Sequence, residues 1–441
     1  SSAASDVYKR QFKYRSKDEE RAWKAKDPAV AWPRSLIEHG LLSAGEVQHV
    51  QGLANAIVAR CVAALTVETE DGPAIPPELY PPRADAYRGM LGPGLPELPP
   101  VRTDPTPSPE AEPITYAEAV QGVIGRMLER DPEAIYLGEE AGHLGGGTVG
   151  ITKAAVASRP AQVLSTPICE NGFTGAALGA ALAGRHPVIE FMYPDFVLEA
   201  CDQLFNHVAK SRYMYGGDHD VPVIARTQIA RGRGYGPQHS ADPAGLFTTY
   251  PGWRVASPTT PADYVGCWNA AVLSRDPVLI IDDHRLAKTT GILPAAGFDH
   301  VVELGVARTV RPGRDVTVVT WGYAATRVFE VVSSLAEQGI EAEVIDPRWL
   351  DAASFPRADV LGSVGRTGAI VIAEDAQHTH SMGARILDYL QPDLHGLLRT
   401  APLRVTGQDA YQPVSKPLEA FVHIQDDDIR VAIIAAAGKD D

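Results

Sequence analysis

The chain has 441 residues, enough for two or three domains at roughly 150 residues each, and peptide-sized, collagen-like and disulfide-stapled classes are excluded. Forty Lys and Arg against 55 Asp and Glu leave a formal charge of −15, so no global positive field gathers phosphate backbones and nucleic-acid binding is not expected. Hydrophobic residues at 45% and charged residues at 22% match ordinary globular proportions and exclude wholesale disorder.

In chain order, residues 1–11 come first. Asp6-Val7-Tyr8-Lys9-Arg10-Gln11 reads as the in-frame translation of a sequencing-library adapter, which places the natural protein's first residue in hand near Phe12. From Ser16 to Leu65 the composition is helical and charged. Ser43-Ala44-Gly45-Glu46 has capping-box spacing, so a helix is predicted there, with Val47, Val50, Leu53, Ile57 and Cys61 recurring as an apolar stripe. The stripe has no evident partner in this chain. Residues 73–113 hold 13 of the 35 prolines, and with so few amide donors the stretch reads as a linker. A second capping box, Thr115-Tyr116-Ala117-Glu118, opens a helix with Val120, Val123, Ile124, Met127 and Leu128 on its apolar face.

Beyond it, apolar runs alternate with helical patterns. Strands are predicted at Ile135–Leu137, Val188–Met192, Val221–Thr227, Trp253–Ser257 and Val278–Asp282, and helices at Gly172–Gly184, from Phe196 to about Tyr215, and from Pro261. That is the βαβ pattern of a mostly parallel sheet covered on both faces. After Gly291 the pattern restarts, with strands at Val316–Thr320, Ala342–Ile345, Ala369–Ala373 and Leu403–Val405, so a second, smaller α/β domain is expected. Cys61, Cys169, Cys201 and Cys267 are far apart and fit neither a CxxC metal pattern nor a disulfide framework, which suits a reducing cytosol. No apolar run approaches the roughly 20 residues of a membrane span, and no secretory leader is recognised.

Three segments carry candidate chemistry. Gly145-Gly146-Gly147-Thr148-Val149-Gly150 satisfies GxGxxG with Glu170 twenty residues on, but seven residues separate it from the presumed strand, so a flexible loop is expected instead of a dinucleotide site. Arg231-Gly232-Arg233-Gly234-Tyr235-Gly236 is read as a mobile loop over a pocket whose end places His239 where proton transfer is possible, with plain polar surface the commoner reading of a lone histidine. In Thr166-Pro167-Ile168-Cys169-Glu170-Asn171-Gly172 a carboxylate lies between an apolar strand and a helix of small residues. Two readings follow: a water-starved acid with a raised pKa, or a first-turn carboxylate stabilised by the helix dipole.

Taken together, YLGEE at 136–140, TPICENGFTGAALGAALAG at 166–184, EFMYPDFVLEACDQL at 190–204, PQHS at 237–240, EVIDPRWL at 343–350 and RVTGQDAYQP at 404–413 resemble the β part of thiamine-dependent 2-oxoacid dehydrogenases. The similarity spans roughly residues 114 to 437. YRSKDEERAWKAKDP and ELYPPR, within residues 12 to about 83, resemble the C-terminal tail of the α part. The resemblance implies residues 12–90 as a helical α remnant, 91–113 as a Pro-rich linker, 114–291 as a transketolase-like pyrimidine-binding α/β domain, and 300–441 as a C-terminal α/β domain. It also implies oxidative decarboxylation of a 2-oxoacid with acylation of lipoamide, in the cytoplasm and away from membranes and nucleic acid. Glu170 takes the place of the carboxyl that hydrogen-bonds the aminopyrimidine of thiamine diphosphate. Phe196 matches the aromatic stacked on that ring, Ile168 and Met192 its apolar neighbours, and His239 the histidine near the reacting carbon.

Two departures stand out. No Gly-Asp-Gly metal and diphosphate motif is present, so Mg2+ is expected on an α half, and this chain alone is expected to be inactive. Asp283-His284-Arg285-Leu286 replaces the family's usual residues, which puts substrate preference in doubt. The implied partners are an α half or a second copy of the full-length fusion, a lipoyl-bearing dihydrolipoyl acyltransferase, and the 2-oxoacid. Two alternatives are a transketolase-like transferase, which needs phosphate-binding groups such as Arg231 and Arg233, and a non-catalytic assembly subunit.

Overall fold

The computed structural model describes residues 16–143, 145–147, 150–379 and 381–439. The adapter-like residues 1–11 and Thr148 and Val149 of the GxGxxG match lie outside them. The chain divides into two compact units, at residues 1–86 and 87–441.

The first unit contains helices α1 (Lys17–Lys24), α2 (Pro28–Glu38) and α3 (Ala44–Leu65), then an antiparallel hairpin of β1 (Val67–Thr69) and β2 (Gly72–Ala74). The Ser43 and Glu46 side chains close the capping box that starts α3. None of the described residues of this unit is buried, and the α3 stripe at Val50, Leu53 and Ile57 stands exposed.

The second unit begins with the rest of the Pro-rich stretch. It carries no central strand, as its lost donors require, yet it is docked. Gly92 N–H donates to Asp276 Oδ1 at 2.5 Å and the Val301 N–H to the Arg102 carbonyl at 2.8 Å. The capping box of Thr115 and Glu118 then opens α4 (Tyr116–Arg130). A six-stranded sheet follows, formed by β3 (Ala134–Glu139), β4 (Val163–Thr166), β5 (His186–Phe191), β6 (Ile224–Ile229), β7 (Arg254–Ala256) and β8 (Val278–Asp283). Its order is β4-β3-β5-β6-β8-β7 and every pair is parallel. Between strands run α5 (Glu170–Leu182), a helical run over Pro194–Met214 with π geometry at Asp202–Val208, and α6 (Pro261–Leu273).

Successive strand residues point to opposite faces. Tyr136, Val188, Ile224 and Ile280 pack under α4 and α6, while Leu137, Ile189, Ala225 and Leu279 pack under α5 and the 194–214 run. Away from β4, whose Leu164 is exposed, both faces are covered, which is why these strands read as apolar-rich runs.

The smaller sheet has five strands: β9 (Arg308–Arg311), β10 (Val316–Thr320), β11 (Ala342–Asp346), β12 (Ile370–Ala373) and β13 (Leu403–Val405). Their order is β9-β11-β10-β12-β13, with β9 alone antiparallel to its neighbour. Helices α7 (Gly322–Ala336), α8 (Arg357–Thr367), α9 (Met382–Leu394), α10 (Lys416–Val422) and α11 (Asp426–Ala437) accompany it. Among the described residues, no helix is long and apolar enough to cross a membrane.

Candidate active site

Strand β4 ends at Thr166, and three residues later the chain turns into α5 with Cys169 as N-cap and Glu170 as the first helical residue. α5 is built of small residues because it packs closely on β5 and on the 194–208 segment. At Gly175 an added Cβ would stand 3.0 Å from the Gln203 amide oxygen. Glu170, 8% exposed, is thereby shielded from water at a helix N-terminus, where the dipole favours negative charge. Its neighbour is Glu139, at the end of β3. Burial, reinforced by the charge of Glu170, pushes the Glu139 carboxyl above the usual carboxylate range. The two carboxyls share a side-chain hydrogen bond, and Glu139 Oε1 is buried away from water.

His239 reaches the site on the loop that leaves β6. The base of that loop is closed by the Ala230 N–H donating to the His239 carbonyl at 3.1 Å and by Arg231 Nε donating to the Ser240 carbonyl at 2.9 Å. The imidazole lies among aromatic rings, with centroids 4.6 Å from Tyr193, 5.3 Å from Phe196 and 5.6 Å from Tyr235. Its Nδ1 is buried and unpartnered. Asp195 Oδ2 accepts the Ala241 N–H at 3.1 Å, and burial raises the Asp195 carboxyl while nearby amides and His239 oppose the rise. A cleft of about 60 Å3 lies here, lined by Asp195, Arg231, Ser240 and Gln412, whose buried Oε1 is also unpartnered.

Phe196 and His239 are thus in contact, and Glu170 sits on the helix packed against the turn that carries Phe196. Met192 is half-buried just past β5, and Ile168 is 85% exposed ahead of α5. The RGRGYG loop departs from expectation. Arg231 is 3% exposed and paired with Asp375 at 3.4 Å, so the loop is neither an open basic tract nor a free flap. Glu139, Tyr193, Asp195 and Gln412 are additions to the sequence reading. Each falls inside a quoted motif, but only the fold shows what it faces.

For thiamine diphosphate, the buried acids, the aromatic wall and the exposed Ile168 fit the pyrimidine side of a cofactor site. No group of three or more His, Cys, Asp or Glu able to hold a metal occurs among the described residues.

Residues 112–288 match the pyrimidine-binding domain model of transketolase and residues 305–429 its C-terminal domain model. The β subunit of an acetoin:2,6-dichlorophenolindophenol oxidoreductase from Cupriavidus necator is 34% identical over 318 residues, covering 70% of this chain and 93% of that protein. A chloroplastic pyruvate dehydrogenase E1 β-2 subunit from Arabidopsis thaliana is 32% identical over 317 residues, covering 72% of this chain and 77% of that protein. The chain belongs to the transketolase-type E1 β-subunit family. A solved split-gene transketolase, described as an inactive β4 tetramer, shares its fold at a TM-score of 0.60 with 20% identity over 74% of this chain and 98% of that one.

In this E1 β chain the Asp283-His284-Arg285-Leu286 segment faces the second domain. Arg285 Nη2 lies 2.5 Å from Asp283 and 2.7 Å from Asp375, and its guanidinium covers the Tyr323 ring at 3.8 Å. Burial, with help from the Arg233 charge, lowers the His284 imidazole to about 4, so it is neutral at pH 7. The segment's Arg285 and His284 are thus taken up in contacts at the domain boundary.

Proposed function

We propose that this chain supplies the pyrimidine-binding wall of a thiamine diphosphate site in a 2-oxoacid dehydrogenase that decarboxylates its substrate and acylates lipoamide. The observation that carries the reading is the water-shielded Glu170 carboxyl at the first turn of α5, beside Glu139 and on the helix that packs against the turn bearing Phe196. When bound, the cofactor supplies the electron sink that lets carbon dioxide leave. Glu170 hydrogen-bonds the aminopyrimidine, with the Glu139 carboxyl beside it at the same corner. Phe196, Met192 and Ile168 give the ring apolar cover. His239 moves a proton at the acyl-transfer step, its unpartnered Nδ1 lying within the aromatic wall.

Mg2+ and the diphosphate belong to an α half, of which residues 12–90 are a remnant, and the acyl acceptor is a lipoyl-bearing acyltransferase in a cytoplasmic complex. A sugar-phosphate transferase is less well supported, because Arg231 is buried in an ion pair instead of standing at a pocket mouth.

The test is reconstitution with an α-type partner, thiamine diphosphate, Mg2+ and a dye acceptor, offering pyruvate, a branched 2-oxoacid and acetoin in turn. Glu170→Gln is expected to lower turnover at least about 100-fold with the fold retained, the usual size of a lost proton-transfer group. Unchanged turnover in that variant would instead favour an assembly role.

A further inference from the structure

The loop that carries His239 is held at its tip as well as its base. Glu419, on α10 of the second domain, is 1% exposed and accepts the Gly232 N–H at 2.6 Å on one oxygen and the Gly234 N–H at 3.0 Å on the other. Both glycines have positive φ, +80° and +74°, which turns their amides toward one concavity. An anion is the natural occupant of such a nest, and here the occupant is a carboxylate of the protein itself. The second domain closes round it: a Cβ on Gly234 would lie 2.8 Å from the Val414 carbonyl and one on Gly236 2.8 Å from Val414 Cγ1. His423 stands 3.9 Å from Glu419 and 3.4 Å from Asp375, the carboxylate that also pairs with Arg231.

We propose that Glu419 is a positioning residue, whose carboxylate fixes the Gly232–Gly234 tip and, through a loop closed at its base, sets His239 against Tyr193 and Phe196. The catalytic part of this inference rests on the role of His239 proposed above. The geometric part stands apart from it. Charge-assisted bonds to two amides of a nine-residue loop leave His239 little freedom to leave the aromatic wall.

The test uses the full chain and Glu419→Gln, which keeps the shape but sets an NH2 group against an amide donor. Glu419→Asp, which keeps the charge and shortens the reach, stands in if the glutamine variant does not fold. Hydrogen exchange of peptides covering residues 230–241 is expected to quicken about tenfold while β6 and β8 stay protected. Carbethoxylation of His239, read by mass spectrometry, is expected to rise several-fold. In the enzyme reconstituted with an α-type partner, kcat is expected to fall roughly 10- to 100-fold, with KM for the 2-oxoacid within about a factor of two. Unchanged exchange and unchanged His239 labelling overturn the clamp. Altered labelling with unchanged kcat overturns its catalytic meaning. A wild-type enzyme that turns over no 2-oxoacid defeats the proposed function, while labelling and exchange still decide the clamp.

Discussion

Glu374 ends β12 with its carboxyl almost wholly buried. Oε1 accepts the Ser381 hydroxyl at 2.6 Å and the Gly383 N–H at 2.9 Å, while Oε2 is buried without a partner. Burial raises this acid to about 7 despite the Ser381 bond. Its folded value lies above the unfolded value near 4.5, so the folded state binds the extra proton between the two. The contribution is full below about pH 4.5 and is lost as pH rises through about 7. Glu374→Gln, neutral at every pH, should therefore gain on the wild type by up to about 3 kcal/mol between pH 4.5 and 8. Thermal melts at both ends of that range test this, and a pH-independent difference refutes it.

Arg226 on β6 ties three neighbouring strands together. Its guanidinium pairs with Glu190 on β5 and Asp282 on β8, and Tyr136 on β3 donates to Glu190 Oε2 at 3.0 Å. Two acids around one buried cation leave an excess of negative charge, and burial raises Asp282 to about 6 against the pull of Arg226. Arg226→Met should cost about 3–5 kcal/mol by stranding both carboxylates. Urea midpoints should show a larger loss at pH 8 than at pH 5, where Asp282 takes up a proton.

Strands β3, β5, β6 and β8 were legible beforehand because they are covered on both faces, while the half-exposed β4 was not read. Val316–Thr320 and Leu403–Val405 fall where their apolar runs place them. Strand β9 escaped notice because it is a half-exposed antiparallel edge that reads Arg-Thr-Val-Arg. Helix α8 escaped because Gly362 and Gly365 weaken its helical signal.

The two α/β domains of the second unit share one interior. β7 lies at the sheet edge, where the Leu350 N–H donates to the Val255 carbonyl at 2.8 Å and the Ser257 N–H to the Arg348 carbonyl at 3.0 Å. Val255, Val319, Trp321, Ile345 and Leu350 belong to one continuous apolar cluster, and Trp349 is buried among first-domain residues. Interfaces of this kind do not open independently. Residues 87–439 are therefore expected to unfold in a single calorimetric transition, with tryptophan fluorescence coincident with it. Two resolved heat-absorption peaks from this unit would contradict that.

Local chemistry was enough to read the alternating α/β order and the capping boxes at Ser43 and Thr115, because propensity and periodicity act over a few residues, while the residues nominated around the cofactor followed from the family resemblance. The Glu419 clamp could not be read that way. Its bonds join residues 187 and 185 positions apart and end on backbone amides, which leave no mark in side-chain identity. Nor could the contact of Arg-Trp-Leu in the EVIDPRWL motif with the first domain's edge strand, or the pairing of Glu139 with Glu170. Those depend on which sheet edge and which helix end the folded chain brings together.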